Sequence, residues 1–423
     1  MPATGAGPLS QAAVRPRPPP SGDHHTAPPE PDITTNLWGS PDKVTCDQEM
    51  TAMYQLIASP FIDDYLIVRP GHQAGVKIPR RNYLELGRAA ATGAQSPQWL
   101  ADTARKAWGL ELGTSKVTET VIIRDQSAFS FGRASYELNL GCNYDCEHCY
   151  LGLKTFSGLG WDQRVRLLYT MRDAGVLWLQ LTGGEPLIDQ LFADTYTLAY
   201  DLGMMLHISS NASRLHNQAI LDLLDTRRPY RITVSVYGAS EASYDGLVRR
   251  RGAFKLFERG MTAALEAALP MRLNIVLTKT NAHEEAVMIK MAERWGLEYL
   301  VYSNLSPTIY GGAEVLPAQS TEHLRARKPF TGCNAGHTFF HVDPHGKASI
   351  CKVGRDSQID LSAEGVHGLR RLGAIADNLM LRTGGCSGCQ LSGTCTVCRP
   401  LAKLYQDAKA PLNTYCQHGR SSA

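Results

Sequence analysis

The stretch Gly141-Cys142-Asn143-Tyr144-Asp145-Cys146-Glu147-His148-Cys149-Tyr150 constrains this chain more than any other. Its three cysteines follow the spacing C-x3-C-x2-C, in a loop short enough to wrap around one object. A four-iron four-sulfur cluster is ordinarily held by four thiolates. Three from one tight loop leave one iron without a protein ligand, free to bind something that reacts. The competing accounts of the same spacing are a zinc knuckle or three buried thiols, and the context further along the chain decides between them.

The whole chain has 423 residues, room for two or three domains. It is 43% hydrophobic and 20% charged, an ordinary globular composition. A net charge of +3 argues against nucleic acid or an anionic membrane as partner. No apolar run reaches the length of a membrane span, and no export signal opens the chain. A cytoplasmic location follows. Eleven cysteines would suggest a disulfide framework in a small secreted protein. In this long chain ten of them are clustered, which points to a metalloprotein.

From about residue 134 to 310 strand and helix patterns alternate. Candidate strands are 136–140, 176–181, 205–209, 232–237, 273–277 and 299–302, with helices over 161–174, 189–202, 216–225, 254–268 and 283–295. Six βα units in series imply a parallel sheet. Right-handed crossovers would curl it into a partial (β/α)6 barrel, an α/β fold. In such barrels chemistry sits at the C-terminal ends of the strands, and the cysteine loop follows the first strand. After the second strand comes Thr182-Gly183-Gly184-Glu185-Pro186. Its two glycines allow close approach of backbone to a ligand, and Pro186 opens a helix.

Together these segments resemble the radical S-adenosylmethionine (SAM) enzymes. The resemblance implies that Cys142, Cys146 and Cys149 hold a cluster whose open iron chelates SAM. An electron then cleaves SAM to a 5′-deoxyadenosyl radical, which abstracts hydrogen from the substrate. It further implies that Gly183, Gly184, Glu185 and Pro186 contact the methionine ammonium. Ser209 and Asn211 would face the ribose. Ser235 and the segment Tyr237-Gly238-Ala239-Ser240 would wall the carboxylate and ribose, and Arg249 would supply a cation for that carboxylate. His148 stands where the family usually has an aromatic residue beside the adenine. Each of these polar residues is also suited to capping a helix or lying in solvent.

Beyond the barrel come Cys333, Gly346-x4-Cys351, Cys386-x2-Cys389-x5-Cys395-x2-Cys398 and Cys416. The order resembles the SPASM extension of radical SAM proteins, which binds two auxiliary four-iron clusters. It has two residues where the family usually has three before the cysteine at 398. By that resemblance Cys386, Cys389, Cys395 and Cys416 hold the outer cluster. Cys333, Cys351 and Cys398 hold the inner one, which is left a ligand short. A zinc ribbon is the alternative, although five residues between the pairs is a short loop and three cysteines would remain unused. Phe339 to Gly346 reads as a hairpin; His337 just before it, and His341 and Asp343 within it, could ligate a cluster but are more simply surface or turn residues.

Residues 1–49 form a tail; its first 45 hold ten of the 23 prolines, and it is expected to be disordered. Cys46 is its bystander thiol. Residues 50–128 read as a small α+β unit: strands at 65–71, 76–79 and 117–124, a helix over 82–91, and another from 98 to 108 opened by Ser96 as N-cap and Pro97. Such a unit ahead of the barrel resembles the winged-helix leader-binding domains of peptide-modifying radical SAM proteins, which add a precursor strand to a sheet edge. A plain N-terminal extension is the other reading. The barrel then spans 129–315 and the SPASM-like domain 316–423.

The resemblance implies an oxidoreductase that matures a ribosomally made precursor peptide, through a thioether or carbon–carbon crosslink. It needs three four-iron clusters, SAM, and a reductase, flavodoxin or ferredoxin as electron donor. A small-molecule dehydrogenase on the same scaffold is the alternative. Lys352 argues against a sulfatase maturase, which has aspartate directly after that cysteine. The lack of a spare cysteine near the barrel argues against an epimerase. A non-enzymatic iron–sulfur carrier has no use for the Gly-Gly-Glu-Pro turn.

Overall fold

The computed structural model describes residues 54–310, 315–325, 333–380 and 397–416. The proline-rich tail with Cys46, and Cys386, Cys389 and Cys395, lie outside them.

An antiparallel meander opens the described chain: β1 (Leu56–Phe61), β2 (Asp64–Val68) and β3 (Gly75–Ile78). The β1–β2 turn is tight enough to hold Ile62 at φ 56°. Two helices follow, α1 (Arg80–Ala91) and α2 (Gln98–Trp108), then a helical turn α3 (Val117–Thr120) and β4 (Val121–Ile123), which pairs in parallel with β1. Leu86, Leu100 and Ala104 of the helices bury against Leu56, Ala58 and Ile67 of the sheet. The first strand escapes sequence reading because Ala-Ser-Pro interrupts its apolar run. The single strand expected over 117–124 is split: the Lys116 N–H is accepted by the Glu119 carboxylate at 3.0 Å, which closes a helical turn before the strand begins. Pro97 occupies the N-cap of α2, one residue later than its sequence suggests.

The barrel runs β5 (Arg133–Glu137), α4 (Trp161–Asp173), β6 (Trp178–Thr182), α5 (Phe192–Asp201), β7 (Met205–Ser210), α6 (Gln218–Thr226), β8 (Arg231–Val236), α7 (Glu241–Val248), α8 (Ala253–Glu266), β9 (Met271–Val276), α9 (Glu285–Arg294) and β10 (Tyr299–Tyr302). All six strands are parallel and adjacent in chain order. The helix α7 is an addition to the expected set, capped by Ser240, whose hydroxyl accepts the Ser243 N–H.

The sheet does not end at the expected domain boundary. Strand β11 (Phe339–Val342) pairs in parallel with β5, Phe339 opposite Arg133 through Val342 opposite Tyr136. Then β12 (Lys347–Ser349) and β13 (Ile359–Asp360) continue antiparallel, making nine strands among the described residues. The expected hairpin is present, but it belongs to the barrel sheet. Helices α10 (Leu361–Gly368), α11 (Leu372–Met380), α12 (Arg399–Asp407) and α13 (Leu412–Tyr415) follow.

Alternation along the strands sorts side chains onto two faces. Tyr136, Leu179, Leu181, Ile208, Val234, Leu273, Ile275 and Phe340 enter the core shared with the helices. Ser135, Glu137, Gln180, His207, Thr233, Asn274 and His341 therefore take the opposite, inner face. At the base of the sheet, Ile57 and Val68 of the N-terminal unit pack on Leu177 and Met205.

Candidate functional site

The cysteine loop leaves the C-terminal end of β5, and its backbone is tied down on several sides. The N–H groups of Asp145 and Glu147 donate to the carbonyls of Val248 and Leu247 (3.0 and 3.1 Å). Arg250 donates to Asn143 O (2.6 Å) and Lys154 to Tyr144 O (2.9 Å). Burial, reinforced by the Glu185 carboxylate, pushes the Cys142 thiol up to about 12. Cys146 is pushed up by burial and by the thiols of Cys142 and Cys149. Three thiols thus lie within charge range of one another in a place hostile to thiolates. Bound iron would supply the compensating positive charge, and the Cys142 sulfur already accepts the Tyr144 N–H at 3.4 Å, a contact that tunes cluster potentials. The residues fit a cluster. Among the described residues no three His, Cys, Asp or Glu side chains are arranged to hold a single metal ion.

The glycines after β6 serve a purpose the sequence did not suggest. A Cβ on Gly183 would stand 2.1 Å from Asn139 O, and one on Gly184 2.0 Å from Gly141 O. The Gly184 N–H donates to Asn139 O and the Glu185 N–H to Gly141 O, both at 3.0 Å. The pair of glycines is required by close approach to the cysteine loop itself. Glu185 is buried, with Oε1 accepting from the Leu187 N–H (3.1 Å) and the Ser210 hydroxyl (2.8 Å), and Oε2 from the Asn211 N–H (2.7 Å). Burial outweighs these donors and raises its carboxyl to about 7. Pro186 opens a single 3-10 turn.

The other residues expected at the cosubstrate are distributed as follows. Asn211 donates to Asn143 Oδ1 (2.9 Å), and Asn143 donates to Ser213 (2.9 Å), which joins the end of β7 to the cysteine loop. Ser209 accepts from Gln180 (2.6 Å). Ser235 lies beside Tyr237, a buried phenol pushed up chiefly by desolvation. His148 packs on Tyr237, ring centroids 5.1 Å apart; burial and then Lys154 lower it to about 4, so it is neutral at pH 7. Arg249 caps α7 in the left-handed region (φ 53°), is 54% exposed, and pairs with Asp145 at 3.8 Å.

In the C-terminal region, burial raises the Cys351 thiol, with further contributions from Cys398 and Cys333. These three are therefore neighbours. The sulfur of Cys351 accepts the Gly354 N–H (3.2 Å) and that of Cys333 the Ala335 N–H (3.3 Å). Cys416 ends α13, and its expected companions lie outside the described residues. His337 pairs with Asp377 (2.9 Å), and Asp343 closes the β11–β12 turn by accepting from His345 and Lys347. His341 is neither a surface nor a turn residue: it is fully buried, with Nδ1 2.8 Å from the Ser135 hydroxyl and Nε2 3.4 Å from Glu137.

Two buried ionic groups went unread in the sequence. Arg164 forks onto both oxygens of Asp189 (2.7 and 3.0 Å) and donates to Leu138 O (3.2 Å), clamping the neck of the cysteine loop. Glu137 takes both terminal nitrogens of Arg355 (2.9 and 2.8 Å) beside His341. Burial alone would raise Glu137, but the adjoining His341 ring and the hydrogen bonds from Arg355 prevail and hold it at about 2. Lys352, near this group, is lowered to about 8 by burial. No local signal marks either set, since the partners are far apart in sequence.

The sequence model of the Radical SAM superfamily matches residues 136–310. The AdoMet-dependent heme synthase of Methanosarcina barkeri is 29% identical over 191 residues, 44% of this chain and 54% of that one. The sporulation killing factor maturation protein SkfB of Bacillus subtilis is 24% identical over 162 residues, 38% of this chain and 39% of that one. The chain thus spans about half the length, or less, of these curated relatives. Streptococcus suis SuiB bound to S-adenosylmethionine shares the fold, with a TM-score of 0.51 at 14% identity, over 82% of this chain and 94% of that one. Among the described residues no helix is long and apolar enough to cross a membrane.

Proposed function

We propose, from the premise that residues 136–310 are a radical SAM domain, that the protein matures a ribosomally made precursor peptide by forming a thioether or carbon–carbon crosslink. The observation that carries this reading is the interlock of the thiol loop with the Gly-Gly-Glu strap at one end of the barrel. A small sheet with an open β3 edge is docked at the other.

In this reading Cys142, Cys146 and Cys149 hold the SAM-binding cluster, with SAM lying against Gly183 to Pro186, His148, Ser209, Asn211, Ser235 and Arg249. When bound, cluster and SAM supply a 5′-deoxyadenosyl radical. The chain's own residues do the rest. The strap and Asn143–Asn211 fix the loop, and neutral His148 adds no charge against the sulfonium. Cys333, Cys351 and Cys398 hold an inner auxiliary cluster, and Cys386, Cys389, Cys395 and Cys416 an outer one. Both crosslinks leave the substrate two electrons oxidised: one electron departs with the abstracted hydrogen atom, and an auxiliary cluster held by these cysteines would accept the other as a proton is lost. The winged-helix-like unit grips the leader by adding its strand at β3. A reductase, flavodoxin or ferredoxin in the cytoplasm supplies the initiating electron.

The names of relatives are divided. SkfB is a maturation protein, which supports a peptide substrate. The heme synthase favours the second reading, oxidation of a small molecule, which has no use for the docked N-terminal sheet. The test is a short peptide encoded beside this chain, rich in cysteine, aromatic residues or repeats. Incubated with reduced protein and SAM, it should lose two hydrogens by mass. Formation of 5′-deoxyadenosine with an unaltered peptide would overturn the peptide reading while leaving the radical chemistry intact.

A further inference from the structure

The base of the barrel, at the end of the strands remote from the cysteine loop, holds a cavity of about 230 Å³. Its walls include Arg133, Trp178 and Phe339, the first residues of β5, β6 and β11. Gln180, His207 and Tyr230 complete this part of the lining. Trp178, Gln180 and Thr182 share the inner face of β6, and Thr182 leads directly into the Gly-Gly-Glu strap. From Trp178 to Thr182 the strand rises about 13 Å. Cavity and strap therefore lie toward the two ends of one inner face. The hydrogen bond from Gln180 to the Ser209 hydroxyl (2.6 Å) joins the cavity wall to a residue placed at the cosubstrate.

The lining defines what the cavity takes. Three of its walls are aromatic, and the Arg133 guanidinium stands 5.4 Å from the Trp178 ring centroid. Such walls favour a π-system. A cavity of roughly 150 Å³ holds benzene, so this one has room for a single ring and its attached carbon. Its polar group is His207, whose Nε2 is 2.7 Å from the Thr233 hydroxyl. Among the described residues no hydrogen bond engages Nδ1. Burial is the first cause that lowers this imidazole, to about 3, so the ring is neutral at pH 7. With Nε2 engaged, Nδ1 is an acceptor in one tautomer and a donor in the other, and a hydroxyl answers both. A phenol thus supplies the ring for the aromatic walls and the hydroxyl for His207.

The N-terminal sheet is built onto these same walls. Phe61 of β1 packs edge-on against Trp178, centroids 4.8 Å apart. Gln73, two residues ahead of β3, accepts from Arg231, whose guanidinium lies 5.4 Å from the Tyr230 ring centroid. A peptide strand added at β3 would therefore lie beside the cavity wall. We propose that the cavity is a side-chain subsite for a tyrosine of the precursor peptide, which anchors the substrate at the barrel base. An extended chain covers the 13 Å to the strap in about four residues, so the reacting residue lies about that far along the peptide from the anchor. This rests on the reading that the substrate is a peptide, and it deepens that reading by naming a side chain the peptide carries.

The test uses the reconstituted full chain with SAM and without reductant, so it does not depend on turnover. N-acetyl-tyrosinamide, N-acetyl-phenylalaninamide and N-acetyl-leucinamide are titrated by calorimetry. The tyrosine amide should bind about fivefold more tightly than the phenylalanine amide, the size of one net hydrogen bond. The phenylalanine amide should in turn exceed the leucine amide by about fivefold, the size of an aromatic pair. His207→Leu should remove the first difference and keep the second, whereas Phe339→Ala should weaken both aromatic amides. Circular dichroism confirms that each variant is folded. Equal binding of the three amides, or no binding at their solubility limit, overturns the subsite. So does a tyrosine preference that survives His207→Leu, or aromatic binding that Phe339→Ala leaves unchanged. A parallel loss of SAM affinity in these variants also overturns it, because the effect would then belong to the barrel as a whole. Failure of the peptide reading would show instead as an unaltered peptide in the turnover assay.

Discussion

Gly183 and Gly184 stand where a methyl group would meet the carbonyls of Asn139 and Gly141 at 2.1 and 2.0 Å. Backbone cannot yield as a flexible side chain can, so Gly184→Ala should force the strap off the cysteine loop. We expect that variant to retain less than half the iron of the parent after identical reconstitution. Full iron loading would show that the strap is not what holds the loop. The motif was legible because both halves are local in sequence, but one of its reasons was not: the glycines also make room for the cysteine loop. Glu137 illustrates the opposite case. Its partners Arg355 and His341 lie some 200 residues away, and no periodicity announces them. Its carboxyl is held near 2, below the ordinary 4.5. Its contribution to stability is therefore present above pH 4.5 and fades as pH falls toward 2. Glu137→Gln should cost about 3–5 kcal/mol at pH 7, because it strands Arg355. In urea unfolding the gap from the parent should narrow below pH 4.5. A gap that stays constant down to pH 3 would contradict the assignment.

The βα alternation predicted all six barrel strands within a few residues, since each is an aliphatic run bounded by turns. Strand β11 was read as half of a hairpin, and its parallel pairing with β5 was not foreseen. Pairing of strands separated by a whole domain leaves no trace in either strand's own pattern. It has a physical consequence: the strand that precedes the cysteine loop is central in the sheet rather than an edge. Phe340 on β11 is fully buried and packs edge-on against Phe131, centroids 5.1 Å apart. Phe340→Ala should cost about 3–5 kcal/mol and lower the thermal midpoint of the whole barrel. A variant that melts only the C-terminal region, with the barrel transition unmoved, would show that β11 is peripheral.

At the scale of the molecule, one continuous body joins the N-terminal sheet, the barrel and the cysteines at 333, 351 and 398. The N–H···S contacts at Cys333 and Cys351 resemble that at Cys142. Anaerobic reconstitution should accordingly load about twelve irons per chain, three clusters of four. About four irons with bound zinc would restore the zinc ribbon and remove the auxiliary clusters from the scheme. The proposed radical chemistry needs an open iron on a cluster held by Cys142, Cys146 and Cys149. Its direct test is the yield of 5′-deoxyadenosine when the reconstituted chain is given SAM and dithionite. The parent should produce it and Cys146→Ala should not. An iron-loaded parent that leaves SAM intact, or a Cys146→Ala variant that cleaves it equally well, would contradict the account.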